Sequence, residues 1–200
     1  MYRYRKIGLA LAAAALGWPL VARAQAAAAV PPMRALRQSS WIPEGSAHPR
    51  HVIYVFMDAN CPYCHSLWLA LRPYYPMGLQ VRDILVGVIS ASSPGKAAAI
   101  FDASDPSAAL RLNERRWGHG PGSRGGIAPV EHPSSGDLSR LAYNEVLMEE
   151  FGIQGTPALA FADGQGKVYL IPGLPEKGEL PEIVRTAVVP GHGAQAKGRG

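Results

Sequence analysis

Cys61 and Cys64 are the only cysteines in the 200-residue chain, and they are separated by just two residues. At a helix start, this spacing places both thiols on one turn, so they can form and break a disulfide without rearranging the fold. A bridge that closes so short a loop adds little chain-entropy stability, which makes a purely structural disulfide the weaker interpretation. The pair therefore predicts reversible thiol–disulfide exchange.

The flanking residues place this pair at the junction between a strand and a helix. Residues 51–57 form a continuous apolar run with β-branched and aromatic members, which indicates a strand buried on both faces. After a short turn, apolar residues at 64, 67, 68 and 71 make one helical stripe, and Pro62 suits the first turn of that helix. The amide groups of a helix N-terminus favour an anion, so we expect the Cys61 thiol to have a pKa of about 7, below the ordinary 8.5.

The two cysteines are expected to have different roles. Cys61, at the helix start, is the predicted accessible nucleophile. Cys64 lies one turn deeper on the apolar stripe, so it should be less exposed and keep a higher pKa, as suits the thiol that resolves a mixed disulfide. Asp58, three residues before Cys61, is either a turn residue or a proton relay for the thiols.

Gly155-Thr156-Pro157 precedes a predicted strand. A cis bond before Pro157 would leave the neighbouring backbone free to pair with an extended substrate, and an ordinary trans turn is the alternative.

Two metal-dependent interpretations compete with dithiol chemistry. With His65, the segment 61–65 matches the C-x-x-C-H pattern of c-type haem attachment, although here the pattern directly follows a buried strand. Zinc would need two further ligands, and the six histidines show no paired spacing. We expect no metal and no cofactor, and His65 is then an exposed helix residue.

The N-terminus has the layout of a secretory signal. Arg3, Arg5 and Lys6 precede an uncharged run from 7 to 22, and Ala22-Arg23-Ala24 offers a cleavage site. An uncleaved anchor is the alternative, but this run is shorter than the roughly 20 residues that span a bilayer. Loss of the four basic residues of 1–24 would reduce the net charge from +5 to +1, and no cationic block remains to indicate nucleic-acid binding.

The organisation predicted from these signals is a signal peptide at 1–24, a linker at 25–50 with room for one short element, an α/β domain at 51–188 and a flexible tail at 189–200. The predicted elements are a strand at 51–57, a helix at 63–71, a strand at 81–89, two helices with the N-caps Ser93 and Asp105, a helix with the N-cap Asp137 that runs to Glu150, strands at 157–162 and 167–171, and a helix at 178–188. A redox C-x-x-C in a β-α-β pattern is typical of a thioredoxin-like fold, with 93–150 as a helical insertion.

Four segments, 55–65, 82–89, 93–100 and 155–158, resemble the bacterial periplasmic disulfide isomerases DsbC and DsbG, and DsbG more closely. The resemblance covers residues 41–188. It implies that Cys61 attacks, that Cys64 resolves, and that Thr156 and a cis Pro157 contact substrate; we also expect contacts from Pro62 and Tyr63. Family members carry an N-terminal dimerisation domain, and about 25 residues between the predicted cleavage site and the first strand cannot hold one. We therefore expect a catalytic domain alone, as a monomer.

These features together predict a periplasmic thiol:disulfide oxidoreductase. It would reduce or isomerise disulfides, or reduce sulfenic acids, in secreted proteins, and the resemblance implies a membrane electron donor of the DsbD type. The dipeptide Pro62-Tyr63 lacks the histidine of strongly oxidising relatives, which favours a milder potential. A dithiol oxidase and a non-catalytic envelope binding or chaperone module are the alternatives.

Overall fold

The computed structural model describes residues 33–119 and 124–190, so the predicted signal peptide lies outside the described residues. The strands are β1 (Trp41–Gly45), β2 (His51–Met57), β3 (Leu79–Leu85), β4 (Ala158–Ala162) and β5 (Val168–Pro172). The helices are α1 (Met33–Gln38), α2 (Pro62–Leu71), α3 (Ser93–Phe101), α4 (Pro106–Arg115), α5 (Ser135–Glu150) and α6 (Leu180–Thr186), with a 3₁₀ segment at Arg72–Met77.

The strands form one sheet in the order β1-β3-β2-β4-β5, in which only β2 and β3 run parallel. Alternate residues of β2 face opposite sides of the sheet. Ile53, Val55 and Met57 pack on the side of α2 and α6, whereas Tyr54 and Phe56 pack on the side of α1 and α5. The central strand is thus covered on both faces, as its continuous apolar run predicted.

The unit β2-α2-β3 is a crossover that brings the C-x-x-C segment to one end of the parallel strand pair. Helices α3, α4 and α5 then lie between β3 and β4 in the chain, which is the predicted helical insertion. One end of the sheet and the first turn of α2 therefore surround the two cysteines.

The folded part of the chain begins before residue 51, within the segment predicted as a linker. α1 packs on the sheet through Leu36, and β1 is an edge strand antiparallel to β3, with Trp41 beside Ile84. The sequence signal for β1 is weak because an edge strand buries few apolar residues: here Ile42 is buried, and the other inward residue is Glu44.

Several element boundaries also differ from the predicted ones. β3 ends at Leu85 rather than 89, because the amides of Val88 and Ile89 donate to a carboxylate instead of to a strand. The N-cap of α5 is Ser134, and Asp137 is the third helical residue of its capping box. The N-cap of α3 is Ser92, one residue before the predicted Ser93, and it makes no side-chain capping bond.

Asn144 joins three parts of this fold. It is fully buried on α5. Its Oδ1 accepts from the Ser40 amide at 3.1 Å, and its Nδ2 donates to the carbonyls of Ser40 and Leu85, both at 2.9 Å. The side chain thus ties α5 to the start of β1 and the end of β3, and its removal would leave buried backbone groups unpaired.

We expect Asn144→Ala to lower the free energy of unfolding by about 3 kcal/mol, because the lost bonds leave desolvated groups without partners. Urea denaturation would measure the change. The matched control is Ser139→Ala on the exposed side of α5, which should stay within about 0.5 kcal/mol of wild type. Equal stability of the two variants would show that the hydrogen bonds of Asn144 do not stabilise the fold.

Candidate functional site

The Cys61 sulfur lies at the start of α2. Cys61 is the N-cap residue, with extended backbone (φ −86°, ψ 117°), and Pro62 occupies the first helical position. The Sγ atom accepts a hydrogen bond from the Cys64 amide at 3.3 Å, in place of the oxygen that usually caps a helix. The sulfur is therefore held against the positive end of the helix dipole, where a thiolate is stabilised.

The two thiols differ strongly in acidity. A hydrogen bond from the Cys64 side chain is the main cause that lowers the pKa of Cys61, to about 6; the amides of Cys64 and Tyr63 act in the same direction and burial opposes them. Burial, together with the charge and hydrogen bond of Cys61, raises the pKa of Cys64 well above its ordinary value. One thiol is thus an anion near neutral pH and the other stays protonated.

The expected difference in exposure between the thiols is not found. Cys61 is 1% exposed and Cys64 2%, so the prediction of an accessible Cys61 is wrong for this conformation. Tyr63, by contrast, is 64% exposed beside it. The difference in pKa between the two thiols comes from the hydrogen bonds that the Cys64 side chain and the helix-start amides make to Cys61, and not from access to solvent.

Thr156 and Pro157 lie directly against Cys61. The Thr156–Pro157 bond is cis. When Cys61 is protonated, its thiol donates to the Thr156 carbonyl at 3.3 Å. The buried Thr156 Oγ1 has no hydrogen-bond partner among the described residues. These two residues are far from the cysteines in sequence, and in the fold they form one wall of the thiol site.

The carboxylate of Asp58 clasps the loops around the site. It is fully buried; Oδ1 accepts from the Asn60 amide and the Ser93 hydroxyl, both at 2.8 Å. Oδ2 accepts from the amides of Val88 and Ile89 at 2.8 and 2.9 Å. With both oxygens occupied, this arrangement favours the turn interpretation of Asp58 over a proton relay.

A lysine completes this clasp, and sequence reasoning missed it. Lys96 is fully buried on α3, and its Nζ donates to Asn60 Oδ1 at 2.8 Å and to the Gly125 carbonyl at 2.5 Å. Burial lowers the pKa of Lys96. The sequence signal for its burial was that Lys96 directly precedes the apolar run Ala97 to Ile100 of a predicted helix.

His65 is not the exposed helix residue that the sequence predicted. Its Nδ1 lies 2.8 Å from Glu114 Oε2, and its ring stacks on Trp117 and Trp68 at centroid distances of 4.8 and 6.2 Å. Haem attachment would require this imidazole as an iron ligand, whereas here Glu114 engages it. Among residues 33–119 and 124–190, no cluster of three or more His, Cys, Asp or Glu side chains could hold a metal ion.

Three buried carboxyl groups surround α2, and none was predicted as a site residue. They belong to Glu44, Asp83 and Glu114, and burial is the main cause that raises the pKa of each. For Asp83 a signal existed, since it interrupts an apolar strand pattern. The others became recognisable only when distant elements were brought together.

Comparison with known proteins shows the family to which the chain belongs. Residues 44–187 match the model of the thioredoxin-like domain. The chain belongs to the thioredoxin-like family. It is 35% identical over 150 residues to the thiol:disulfide interchange protein DsbG of Pseudomonas aeruginosa, and 34% identical over 153 residues to that of Escherichia coli. Each alignment covers 74% of this chain, and 57% and 58% of those proteins.

Solved structures agree on the fold. A periplasmic thioredoxin-like protein from Salmonella enterica serovar Typhimurium matches with a TM-score of 0.60 at 24% identity, covering 76% of this chain and 93% of that one. The catalytic domain of Proteus mirabilis ScsC matches with a TM-score of 0.58 at 22% identity, covering 76% and 92%. The resemblance to DsbG and the thioredoxin-like fold with a helical insertion are thereby confirmed. No helix within the described ranges is long and apolar enough to cross a bilayer.

We expect the alkylation rate of Cys61 to follow a titration with a pKa of about 6. Iodoacetamide modification, assigned by mass spectrometry, should accelerate about fivefold between pH 5 and pH 6 and by about a tenth between pH 7 and pH 8. Cys64→Ala removes the main hydrogen bond that lowers this pKa, so the inflection should move to higher pH, whereas Cys64→Ser, which keeps a donor, should move it less. An unchanged inflection in Cys64→Ala would contradict this electrostatic account.

The clasp predicts that Asp58→Asn destabilises the domain by about 3 kcal/mol, because an amide cannot accept from all four donors and leaves buried groups unpaired. Urea unfolding measures the change. Asp102→Asn, at a carboxylate that is 54% exposed, is the control and should change stability little. If Asp58→Asn were as stable as Asp102→Asn, the hydrogen bonds of Asp58 would not be what holds the loops.

Proposed function

We propose that this chain is a periplasmic thiol:disulfide oxidoreductase that uses the Cys61–Cys64 pair to reduce or isomerise protein disulfides. One observation carries the proposal: at a single helix start, one thiol is acidified to a pKa of about 6 while its partner, three residues on, is kept protonated. A nucleophile and a resolving thiol need these opposite acidities.

The proposed reaction proceeds through a mixed disulfide. The Cys61 thiolate attacks one sulfur of a substrate disulfide, a bond forms between them, and the other substrate sulfur leaves with the electron pair. Cys64 then loses its proton and attacks Cys61 Sγ. The Cys61–Cys64 disulfide forms, the second substrate sulfur leaves as a thiolate, and two electrons have passed to the substrate.

The residues around Cys61 form the proposed substrate contact. Tyr63 is exposed next to the sulfur, and Val88 and Ile89, on the loop held by Asp58, are exposed apolar residues. Together with Pro62, Thr156 and Pro157, they would contact an extended peptide segment through backbone pairing and apolar packing.

We also propose the cellular setting. The similarity to the thiol:disulfide interchange proteins DsbG supports a periplasmic location after cleavage of the predicted signal at 1–24. It further supports disulfide-bonded or oxidised secreted proteins as clients and a membrane electron donor of the DsbD type. The chain spans less than three fifths of the length of those relatives. We propose that it acts as a monomer.

One observation favours the oxidase as a second candidate. A thiolate stabilised to a pKa of about 6 stabilises the reduced form of the pair, and this makes the disulfide a stronger oxidant. Equilibration with glutathione would separate the candidates. A potential near about −120 mV supports an oxidase, and one of about −180 mV or lower supports a reductase or isomerase.

The decisive experiment compares cysteine variants in reduction of a protein disulfide and in refolding of a protein with scrambled disulfides. Cys61→Ser should abolish both activities, and Cys64→Ser should accumulate mixed disulfides visible on non-reducing gels. Ser66→Ala, at an exposed hydroxyl on the same helix, is the matched control and should keep full activity.

Retained activity in Cys61→Ser would overturn the proposed chemistry. The non-catalytic envelope module predicts a different result in cells, where Cys61→Ala would preserve function completely. Thiol trapping in intact cells would show which redox state the pair holds and which clients it carries.

A further inference from the structure

Three arginines line one open pocket between α2, α4 and the edge strand β1. The pocket has a volume of about 350 Å³, in the range of small-molecule and side-chain binding sites. Its cations are Arg72, which is the C-cap residue of α2, and Arg111 and Arg115 of α4. Glu44 of β1 is the acid in the lining that the structure describes. Three positive charges in this pocket therefore face one carboxylate.

The carboxylate of Glu44 is already engaged by the walls of the pocket. It is buried, and its two oxygens accept from Arg111 at 2.8 Å and from the Trp68 indole N–H at 3.4 Å. Burial raises the pKa of Glu44, and the charges of Arg111 and Arg115 act in the opposite direction. Arg111 also lies 3.8 Å from the exposed carboxylate of Asp105. The acids near the pocket thus compensate Arg111.

Arg72 and Arg115 are not compensated in this way. Both are exposed, and neither forms an ion pair with a carboxylate within the described residues. All 15 Asp and Glu residues of the chain lie in 33–119 or 124–190, so the remaining segments contain no acidic side chain that could pair with them. Uncompensated charges of one sign in a concave site attract a ligand of the opposite sign.

The guanidinium group of Arg72 is held in an orientation that suits a carboxylate. Its central carbon lies 4.7 Å from the centroid of the Trp68 ring, and Trp68 is itself buried and bonded to Glu44. A guanidinium that stacks through its face keeps the N–H groups of its edge available, and this edge matches the two oxygens of a carboxylate. Less side-chain freedom is then lost when a carboxylate binds.

The pocket is aligned with the reactive thiol. Cys61, His65, Trp68 and Arg72 are spaced by three or four residues, so they lie along one side of α2. A rise of about 1.5 Å per residue places Trp68 about 10 Å and Arg72 about 16 Å from Cys61 along the helix axis. Trp117, which follows α4, stacks on His65 between the thiol and the pocket. An extended peptide advances about 3.3 Å per residue, so about three to five residues cover the distance.

We propose that this arginine pocket binds a carboxylate side chain of the client polypeptide, about three to five residues from the cysteine that Cys61 attacks. The inference rests on the proposed dithiol function and adds to it a determinant of client choice. Charge-assisted, bidentate hydrogen bonds to Arg72 and Arg115 supply the recognition. Clients with a glutamate or aspartate at this distance from a disulfide are then preferred over neutral ones.

Peptides with one cysteine, activated as a 2-thiopyridyl disulfide, test this preference. The Cys61 thiolate bonds to the peptide sulfur, the sulfur–sulfur bond breaks, and thiopyridone leaves with the electron pair and absorbs light. One glutamate is moved stepwise along either side of the cysteine, and a glutamine peptide is the control at each position. We expect glutamate to raise the second-order rate constant about tenfold at three to five residues on one side. Added NaCl should reduce this ratio, because salt screens exposed charges.

Two matched double variants show which arginines cause the preference. Arg72→Gln/Arg115→Gln should reduce the glutamate-to-glutamine ratio to about one. Arg34→Gln/Arg37→Gln removes the same charge from α1, which packs on the opposite face of the sheet, and should keep the full ratio. All four arginines are exposed, so these substitutions leave the core intact. Equal loss of the ratio in both variants would show a general charge effect and would contradict a pocket.

A binding measurement tests the pocket without thiol chemistry. The preferred glutamate peptide, with serine in place of its cysteine and a fluorescent label, is titrated with Cys61→Ser protein and followed by anisotropy. Adding Arg72→Gln/Arg115→Gln should weaken the affinity about tenfold, and the glutamine peptide should bind as weakly as that variant. If free glutarate displaced the labelled peptide as well as unlabelled peptide does, the pocket would be a site for small dicarboxylates and the proposal would be wrong.

Failure of the pocket and failure of the proposed function give different results. If glutamate and glutamine peptides react and bind equally at every position, the pocket has no role in client choice, while the release of thiopyridone still supports the dithiol function. If no peptide releases thiopyridone, the proposed function is wrong, and the anisotropy titration still decides whether the arginines bind a carboxylate.

Discussion

The pair of hydrogen bonds that the Cys64 thiol and the Cys64 amide donate to the Cys61 sulfur is the interaction on which the site depends. It requires Cys61 to be the N-cap residue of α2, which in turn requires β2 to end at Met57 and the chain to turn within three residues. Because the Cys64 thiol and the unpaired amides of the helix terminus both donate to this sulfur, the pKa of Cys61 falls to about 6. The remaining structure keeps that turn in place.

Buried polar groups hold the loops around that turn, beside the apolar packing of α2 on the sheet. Asp58 and Lys96, both fully buried, hold the loops after β2 and β3 through hydrogen bonds. Such bonds are stronger in a low-dielectric interior, and the same interior makes any unpaired group costly. Among the described residues, three buried side-chain atoms make no hydrogen bond: Asp83 Oδ2, Arg124 Nη1 and Thr156 Oγ1.

The prediction was accurate where a pattern is local. The apolar run of β2, the stripe of α2 and the Asp105 cap depend on residues close together in sequence, and all three were found. It failed where partners are distant. β1 was missed because an edge strand is recognised by the strand it pairs with, and His65 was expected to be exposed because Glu114 and Trp117 are remote in sequence.

The sequence alone determined the thiol pair, its place at a strand–helix junction and the α/β order of elements, because each rests on neighbouring residues and on the helix and strand periods. Only the tertiary structure decided which groups surround those thiols. Thr156, Asp83 and Glu114 come from three distant parts of the chain and lie against α2 or its N-cap Cys61. The burial that raises the pKa of the two acids exists only once the sheet and helices have packed together.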